Sequence, residues 1–247
     1  LGPVEYWKGG RWHGITSRHC RSALAILLLA RGRIVTREQF IDSMWDDEPP
    51  STAAVIVRGA ITKLRRWLPD GHRRIATRDP GYQLQLEENE LDADRFLSLV
   101  EAARRALTEG NPHLARELAE QAMAMRHGPV LADVCAGDAL TAESIHLDEY
   151  ATLAEQVRTQ AMLGCGQARW SIPDLRRNLA LCPIDEKSAE LLMNALIEVG
   201  KPAEALVEFD RIRSCLAQDL GVDPGPDLRN LHTRVLNHYL NAASTGE

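Results

Sequence analysis

Apolar residues recur along this chain at two different periods, and the switches between them mark out its elements. Gly2-Pro-Val-Glu-Tyr-Trp7 and Trp12-His-Gly-Ile15 flank Gly9-Gly10 and predict two short strands of an antiparallel sheet. From Arg18 to Ala30 the spacing turns helical, with Ala23, Ile26, Leu27 and Ala30 on one face, and Gly32 ends the run. Ile34-Val35 predicts a short extended bridge. Thr36, followed three residues later by Gln39, carries the capping-box signature of a second helix reaching about Trp45. Asp46-Asp-Glu-Pro-Pro50 then forms an acidic, proline-closed loop.

A third helix opens with Ser51 or Thr52 as its cap. Val57, Ile61, Leu64 and Leu68 share one face, while Arg58, Thr62, Lys63, Arg65 and Arg66 lie off it. A helix anchored by one apolar stripe, with hydroxyl and cationic groups outward, suits a DNA major groove. The groove admits one helix, arginine or lysine reads guanine edges, and neighbouring cations hold phosphates. Pro69-Asp-Gly71 is a turn. Arg73 to Leu86 reads as a hairpin, with Ile75-Ala-Thr77, a turn at Asp79-Pro-Gly81, and the alternating Tyr82-Gln-Leu-Gln-Leu86. Strands, three helices and a hairpin, in that order, predict a winged helix-turn-helix. Its wing places Arg74 and Arg78 within reach of phosphates or the minor groove. Trp45, Trp67 and Tyr82 fall at element ends and are expected to plug the small core, leaving no exposed aromatic row of the single-strand-binding kind.

From Asp92 onward the chain is almost wholly helical and rich in Ala, Leu and Glu. Gly110-Asn-Pro-His-Leu-Ala115 and Gly200-Lys-Pro-Ala-Glu-Ala205 share a Gly-x-Pro-x-x-Ala frame, and Gly166 and Gly200 are 34 residues apart, the period of tetratricopeptide helix pairs. The pairs are expected near 93–126, 139–182 and 186–217, with a closing helix near 226–240, building a surface suited to another protein. The predicted fold is therefore mainly α with a small β component. A winged helix-turn-helix over 1–88 precedes an all-α, tetratricopeptide-like domain over 89–247, and the short junction at Leu91-Asp-Ala-Asp94 brings the two into touch.

Charge sharpens this division. The chain carries a net charge of -6, yet residues 1–86 hold 14 Lys and Arg against 8 Asp and Glu, a local net of +6. The remainder holds 15 against 27, a net of -12. Only the first part has the sign a polyanion attracts. The five cysteines are scattered without a CxxC pair; with no secretory leader evident, reduced thiols and a cytoplasmic location are expected. The longest apolar run, Ala23 to Ala30, is too short to span a membrane. The chain opens at Leu1, and a few residues of a first strand are expected to precede it.

An enzyme finds little support in these residues. The eight histidines show no HExxH or other metal spacing, and no cofactor motif is present. Cys135 with His127 is the only candidate dyad, and an incidental thiol is the simpler reading; His232 and His238 read as solvated helix positions. The acids at Asp46-Asp47-Glu48 read as a solvated run. A protein-interaction scaffold, whose basic helix merely solvates one face, stays open, and salt-dependent DNA affinity separates it from a DNA binder.

The segments together resemble the SARP family (Streptomyces antibiotic regulatory proteins), in which an OmpR-type winged helix precedes a bacterial transcriptional activation domain. The likeness rests on Leu1-Gly-Pro-Val-Glu5, the Ala23 to Ala30 run before Gly32, Ile41-Asp-Ser-Met-Trp45 and Glu48-Pro-Pro-Ser-Thr-Ala53. It continues through Leu64-Arg-Arg66, Thr77-Arg-Asp-Pro-Gly-Tyr-Gln-Leu84, Leu91-Asp-Ala-Asp-Arg-Phe96, Gly128-Pro-Val-Leu-Ala-Asp133, Gly200 to Ala205 and Leu220-Gly-Val-Asp-Pro-Gly-Pro-Asp-Leu228. This resemblance implies an activator of a biosynthetic gene cluster. Such proteins bind direct repeats beside a promoter, two protomers head to tail on double-stranded DNA, and recruit RNA polymerase. The acidic domain would meet the polymerase through a basic sigma-factor region. By the motif, Arg58, Thr62 and Lys63 read bases, Arg65 and Arg66 hold phosphates, and Thr77 and Arg78 follow from the wing. Val55, Ile56 and Gly59 depart from the polar reading face usual at these positions, and so they meet thymine methyls and sugars or thin the base reading. Larger members add an ATPase; Gly164-Cys-Gly166 lacks a Walker A ending, which predicts a small or shortened member.

Overall fold

A computed structural model describes residues 1–45, 48–87, 90–134 and 137–244, with side chains to 237. The Asp46-Asp47 part of the acidic loop, the Cys135 half of the dyad, the His238 side chain and the 88/89 boundary lie outside the described residues.

The chain packs as two compact units, the first formed by Leu1–Val100 with Gln121–Thr152, the second by Glu101–Glu120 with Leu153–Glu247. In the first, β1 (Glu5–Lys8) and β2 (Arg11–Gly14) pair antiparallel around a turn whose glycines have φ of +60° and +81°. Helix α1 (Arg18–Leu29) follows, then β3 (Val35–Thr36), α2 (Arg37–Trp45) and α3 (Ala53–Trp67). The capping box forms as expected. Gln39 N–H donates to Thr36 Oγ1 at 3.1 Å, and Thr36 N–H donates to Gln39 Oε1 at 2.8 Å.

Three details depart from the sequence reading. Helix α3 starts after Thr52 without a side-chain cap bond. The segment read as the start of the hairpin is instead a short helical turn, α4 (Gly71–Arg74), so the wing is confined to β4 (Ile75–Arg78) and β5 (Gly81–Leu84). Trp7 and Trp12 stand exposed as an edge-to-face pair, with ring centroids 5.2 Å apart. Their cross-strand register places them opposite one another, an exposed aromatic pair that alternation alone did not reveal.

Sheet order β3-β5-β4 puts β5 in the centre, and it is buried where β4 is mostly open. Ala23, Leu24 and Leu27 of α1, Phe40 of α2, and Val57, Ile61 and Leu64 of α3 close over Ile75, Tyr82 and Leu84 in one core. Trp45 and Trp67 pack against its margin, as their positions at element ends suggest. Ala30 stays half-buried, whereas Leu24 and Ala25 are buried, so α1 buries more than the single stripe expected.

The rest of the chain is helical: α5 (Asp92–Thr108), α6 (Pro112–Ala124), α7 (Asp138–Gly164), α8 (Ala168–Leu181), α9 (Glu186–Glu198), α10 (Pro202–Asp219) and α11 (Pro226–Ser244). In the second unit, three of the turns between successive helices are alike. Gly110, Gly166 and Gly200 sit at φ of +76°, +69° and +77°, where glycine meets no Cβ penalty. The amide after each one donates 2.8 Å to a carbonyl five residues back: Asn111 to Ala106, Gln167 to Met162, Lys201 to Leu196. One turn repeated within successive helix pairs makes them tetratricopeptide-like. Ala115 and Ala205, and Ser171 in the corresponding place, are buried where the helices approach. Among the described residues, no helix is long and apolar enough to cross a membrane.

Candidate nucleic-acid interface

Helix α3 separates its two faces by period. Ala53, Val57, Ala60, Ile61 and Leu64 are buried, and Ala54, Val55, Arg58, Gly59, Thr62, Lys63 and Arg66 form one continuous exposed stripe. No carboxylate occurs between Ala53 and Pro69. The cations in its last turn, Arg65 and Arg66, also suit the negative end of the helix dipole. Thr62 donates its hydroxyl to the Arg58 carbonyl at 2.9 Å, leaving its oxygen to accept from a base. The side chains of Arg58, Lys63 and Arg66 are exposed and have no hydrogen-bond or ion-pair partner among the described residues. A stripe of unengaged cations on one helix face is the arrangement a polyanion neutralises.

The remaining sequence candidates are already engaged within the fold. Arg65 donates Nε–H to the Ile75 carbonyl at 2.9 Å and an N–H to Thr77 Oγ1 at 2.8 Å, with its guanidinium 5.8 Å from the Tyr82 ring centroid. Arg74 donates to the Gln85 carbonyl at 3.1 Å and pairs with Glu90. Burial pushes the Glu90 carboxyl up, but the hydrogen bonds from Arg74 and from the Glu87 amide outweigh it and hold Glu90 below the usual carboxylate range. Arg78 Nε–H reaches Gln83 Oε1 at 3.4 Å and is exposed at the wing tip. Arg73, exposed on α4 beside the wing, was not singled out by sequence. The run His72-Arg73-Arg74 carried the signal, but reading these residues as strand aimed attention at Arg74.

Other arginines of the first 86 residues are spent on acids further along the chain. Arg31 meets Asp94 at 2.9 Å and Glu143 at 3.0 Å, and Arg21 meets Asp133 at 3.1 Å. The hydrogen bond to Asp94 raises the Arg31 pKa further above its ordinary value against the opposing effect of burial. These two cations are thus neutralised within the fold, whereas α3 holds Arg58, Lys63, Arg65 and Arg66 with no carboxylate among them.

Gly59 lies in the middle of the exposed stripe, with no atom within 4 Å of where a Cβ would stand. Gly59→Ala is thus expected to stabilise the isolated protein by up to about 1 kcal/mol through helix propensity. If α3 lies close in a groove, the same change weakens DNA binding. A thermal melt and a binding titration on one sample check both halves.

Residues 16–84 match the family described as "Transcriptional regulatory protein, C terminal", and residues 91–236 match "Bacterial transcriptional activator domain". The second match alone covers more than half of the chain. The chain belongs to the SARP family of transcriptional regulators. Among relatives of this SARP regulator, the regulatory protein AfsR of Streptomyces coelicolor is 36% identical over 237 residues, covering 96% of this chain and 24% of AfsR. The chain thus spans about a quarter of that relative's length. The transcriptional regulatory protein MoaR1 of Mycobacterium tuberculosis is 30% identical over 96% of this chain and 78% of its own. A solved structure of Mycobacterium tuberculosis EmbR, in complex with a low affinity phosphopeptide, superposes with a TM-score of 0.90 at 29% identity, covering 96% of this chain and 64% of that one. The family is one of transcriptional regulators.

Proposed function

We propose that this SARP regulator activates a biosynthetic gene cluster from the cytoplasm. It binds direct repeats beside a promoter, two protomers head to tail, and recruits RNA polymerase, its sigma factor included, through the acidic helical domain. The carrying observation is the carboxylate-free stripe on α3, where Arg58, Lys63 and Arg66 stand exposed with no partner among the described residues. Arg58, Thr62 and Lys63 read bases from this stripe, and Arg66 holds phosphate. At the wing, Thr77 and Arg78 follow the backbone or minor groove. Arg74 joins them only by leaving Glu90, and the exposed Arg73 is the better placed cation. The domain limits 1–88 and 89–247 belong to this proposal, and the residues matched by the two families support them.

The experiment is in vitro transcription with purified RNA polymerase from a template whose promoter overlaps direct repeats. The regulator should raise transcript yield several-fold on that template and leave a scrambled template unchanged. A protein that binds the repeats but leaves the yield flat contradicts activation. Substitutions separate the two kinds of contact. Arg66→Ala should weaken specific and random DNA alike and lower the salt slope by about one. Lys63→Ala should relax the preference at one base pair by about 1–3 kcal/mol. Equal losses on both DNAs from Lys63→Ala would remove it from base reading.

A further inference from the structure

We infer that Arg65 is a positioning residue that fixes the wing against the recognition helix rather than a phosphate ligand. This rests on the proposed DNA binding and changes what one of its cations does. Strand β4 is an edge strand, paired among the described residues only with β5. The Arg74 carbonyl is taken by the Gln85 amide at 2.9 Å, so the next carbonyl, that of Ile75, points to the open edge. Arg65 Nε–H caps it at 2.9 Å.

The second arm of the guanidinium reaches Thr77 Oγ1 at 2.8 Å, two residues along the same strand. Its plane approaches the ring of Tyr82, which is buried on the central strand. The backbone of Arg65 is engaged as well: a Cβ on Gly71 would lie 2.6 Å from the Arg65 carbonyl oxygen, so α4 sits directly on α3 at this residue. Main chain and side chain of one residue thus meet both segments leading into the wing. A planar fork with several fixed donors can cap a carbonyl and a hydroxyl at once, which an ammonium group cannot do in the same geometry. Arg66, its neighbour, is exposed and has no such partner among the described residues.

Two consequences follow for binding. The wing-tip residue Arg78 is held at a set angle to Lys63 and Arg58, so helix and wing engage DNA as one body. Thr77 accepts from Arg65, which leaves its own hydroxyl proton to donate to a phosphate.

The test is fluorescence anisotropy on a direct-repeat duplex across a salt series, with Arg65→Gln, Arg66→Gln, Arg78→Ala and the double variant Arg65→Gln with Arg78→Ala. Arg66→Gln should lower the log–log salt slope by about 0.9. Arg65→Gln should weaken binding about tenfold and lower the slope no further than Arg78→Ala does, and Arg65→Lys should not restore it. Arg78→Ala should cost about fivefold in the native protein and almost nothing beside Arg65→Gln, because a wing no longer held gains little from its tip. An Arg65→Gln slope lower than that of Arg78→Ala, or an Arg78→Ala cost equal in both backgrounds, overturns the assignment.

Should Arg65→Gln fail to fold, Thr77→Val removes the acceptor while keeping every charge. It should reproduce the lost dependence on Arg78, and unchanged dependence overturns the brace. Amide hydrogen exchange of the unbound protein provides a reading independent of DNA. Wing amides, including that of Gln85, should exchange about tenfold faster in Arg65→Gln. Unaltered exchange there contradicts the brace even if the native protein binds no duplex, an outcome that would itself count against the proposed function.

Discussion

Gly81→Ala is expected to destabilise the winged helix by about 3 kcal/mol or more, the upper end of what overpacking costs. A Cβ at this position would stand 1.8 Å from the Val35 carbonyl oxygen and 2.7 Å from its carbon. Both are backbone atoms of the neighbouring strand and cannot rotate away as a side chain would. Gly81 pairs with Thr36 where β3 meets β5, so relief requires the two strands to part. Parting them exposes Val35, Tyr82 and Leu84, which belong to the core shared with α1, α2 and α3. A domain of ordinary stability holds about 5–15 kcal/mol in reserve. The substitution should therefore remove about a fifth to three-fifths of that reserve and lower the urea midpoint sharply. A midpoint unchanged from the native protein would mean that β3 does not lie on β5 as described.

Leu64→Ala should cost about 2–5 kcal/mol, the range for emptying a fully buried leucine site. Leu64 is fully buried, and Val57, Ala60 and Ile61 surround it on the inner face of α3. Its effect on DNA binding separates the two faces of the helix. Measured in the cold, where the variant remains folded, affinity should stay within a few-fold of native because Leu64 points away from the exposed stripe. Denaturation followed by tryptophan fluorescence reports the stability, with Trp45 and Trp67 at the core margin. A large affinity loss in fully folded protein would place the reading face elsewhere.

These two residues also show which parts of the fold were legible. Leu64 declares itself through spacing: with Val57 and Ile61 it marks one face at helical period, and that face is buried. Gly81 declares a turn, since Asp79-Pro-Gly81 is a strong local signal, but its tight approach to Val35 involves a residue 46 positions earlier. The capping box, Gly9-Gly10, Gly32 and the frame at Gly110 and Gly200 were similarly local and were read correctly. Gly166 makes the same turn although Gly-Gln-Ala-Arg-Trp-Ser171 lacks the proline and alanine of that frame. What matters physically is the glycine at positive φ, which one repeated match cannot reveal.

The fates of the arginines were not legible. Arg31 pairs with Glu143, 112 residues away, and Arg21 with Asp133, also 112 residues away in sequence. A count of basic residues treats them as equal to Arg58, whereas folding spends them on carboxylates. Arg65 and Arg66 are adjacent and look interchangeable in sequence. Only the placement of the open edge of β4 distinguishes them, because it puts a bare carbonyl within reach of one and not the other.

The proposed function requires that the α3 stripe and the wing form a sequence-reading DNA surface. Fluorescence anisotropy of the purified protein against a direct-repeat promoter duplex, beside scrambled DNA and from about 50 to 200 mM salt, tests it most directly. Tighter binding to the repeats is expected, with a steep, linear fall of log affinity with log salt. Absence of binding to either duplex at the lowest salt would contradict it and leave the protein-interaction scaffold as the better reading.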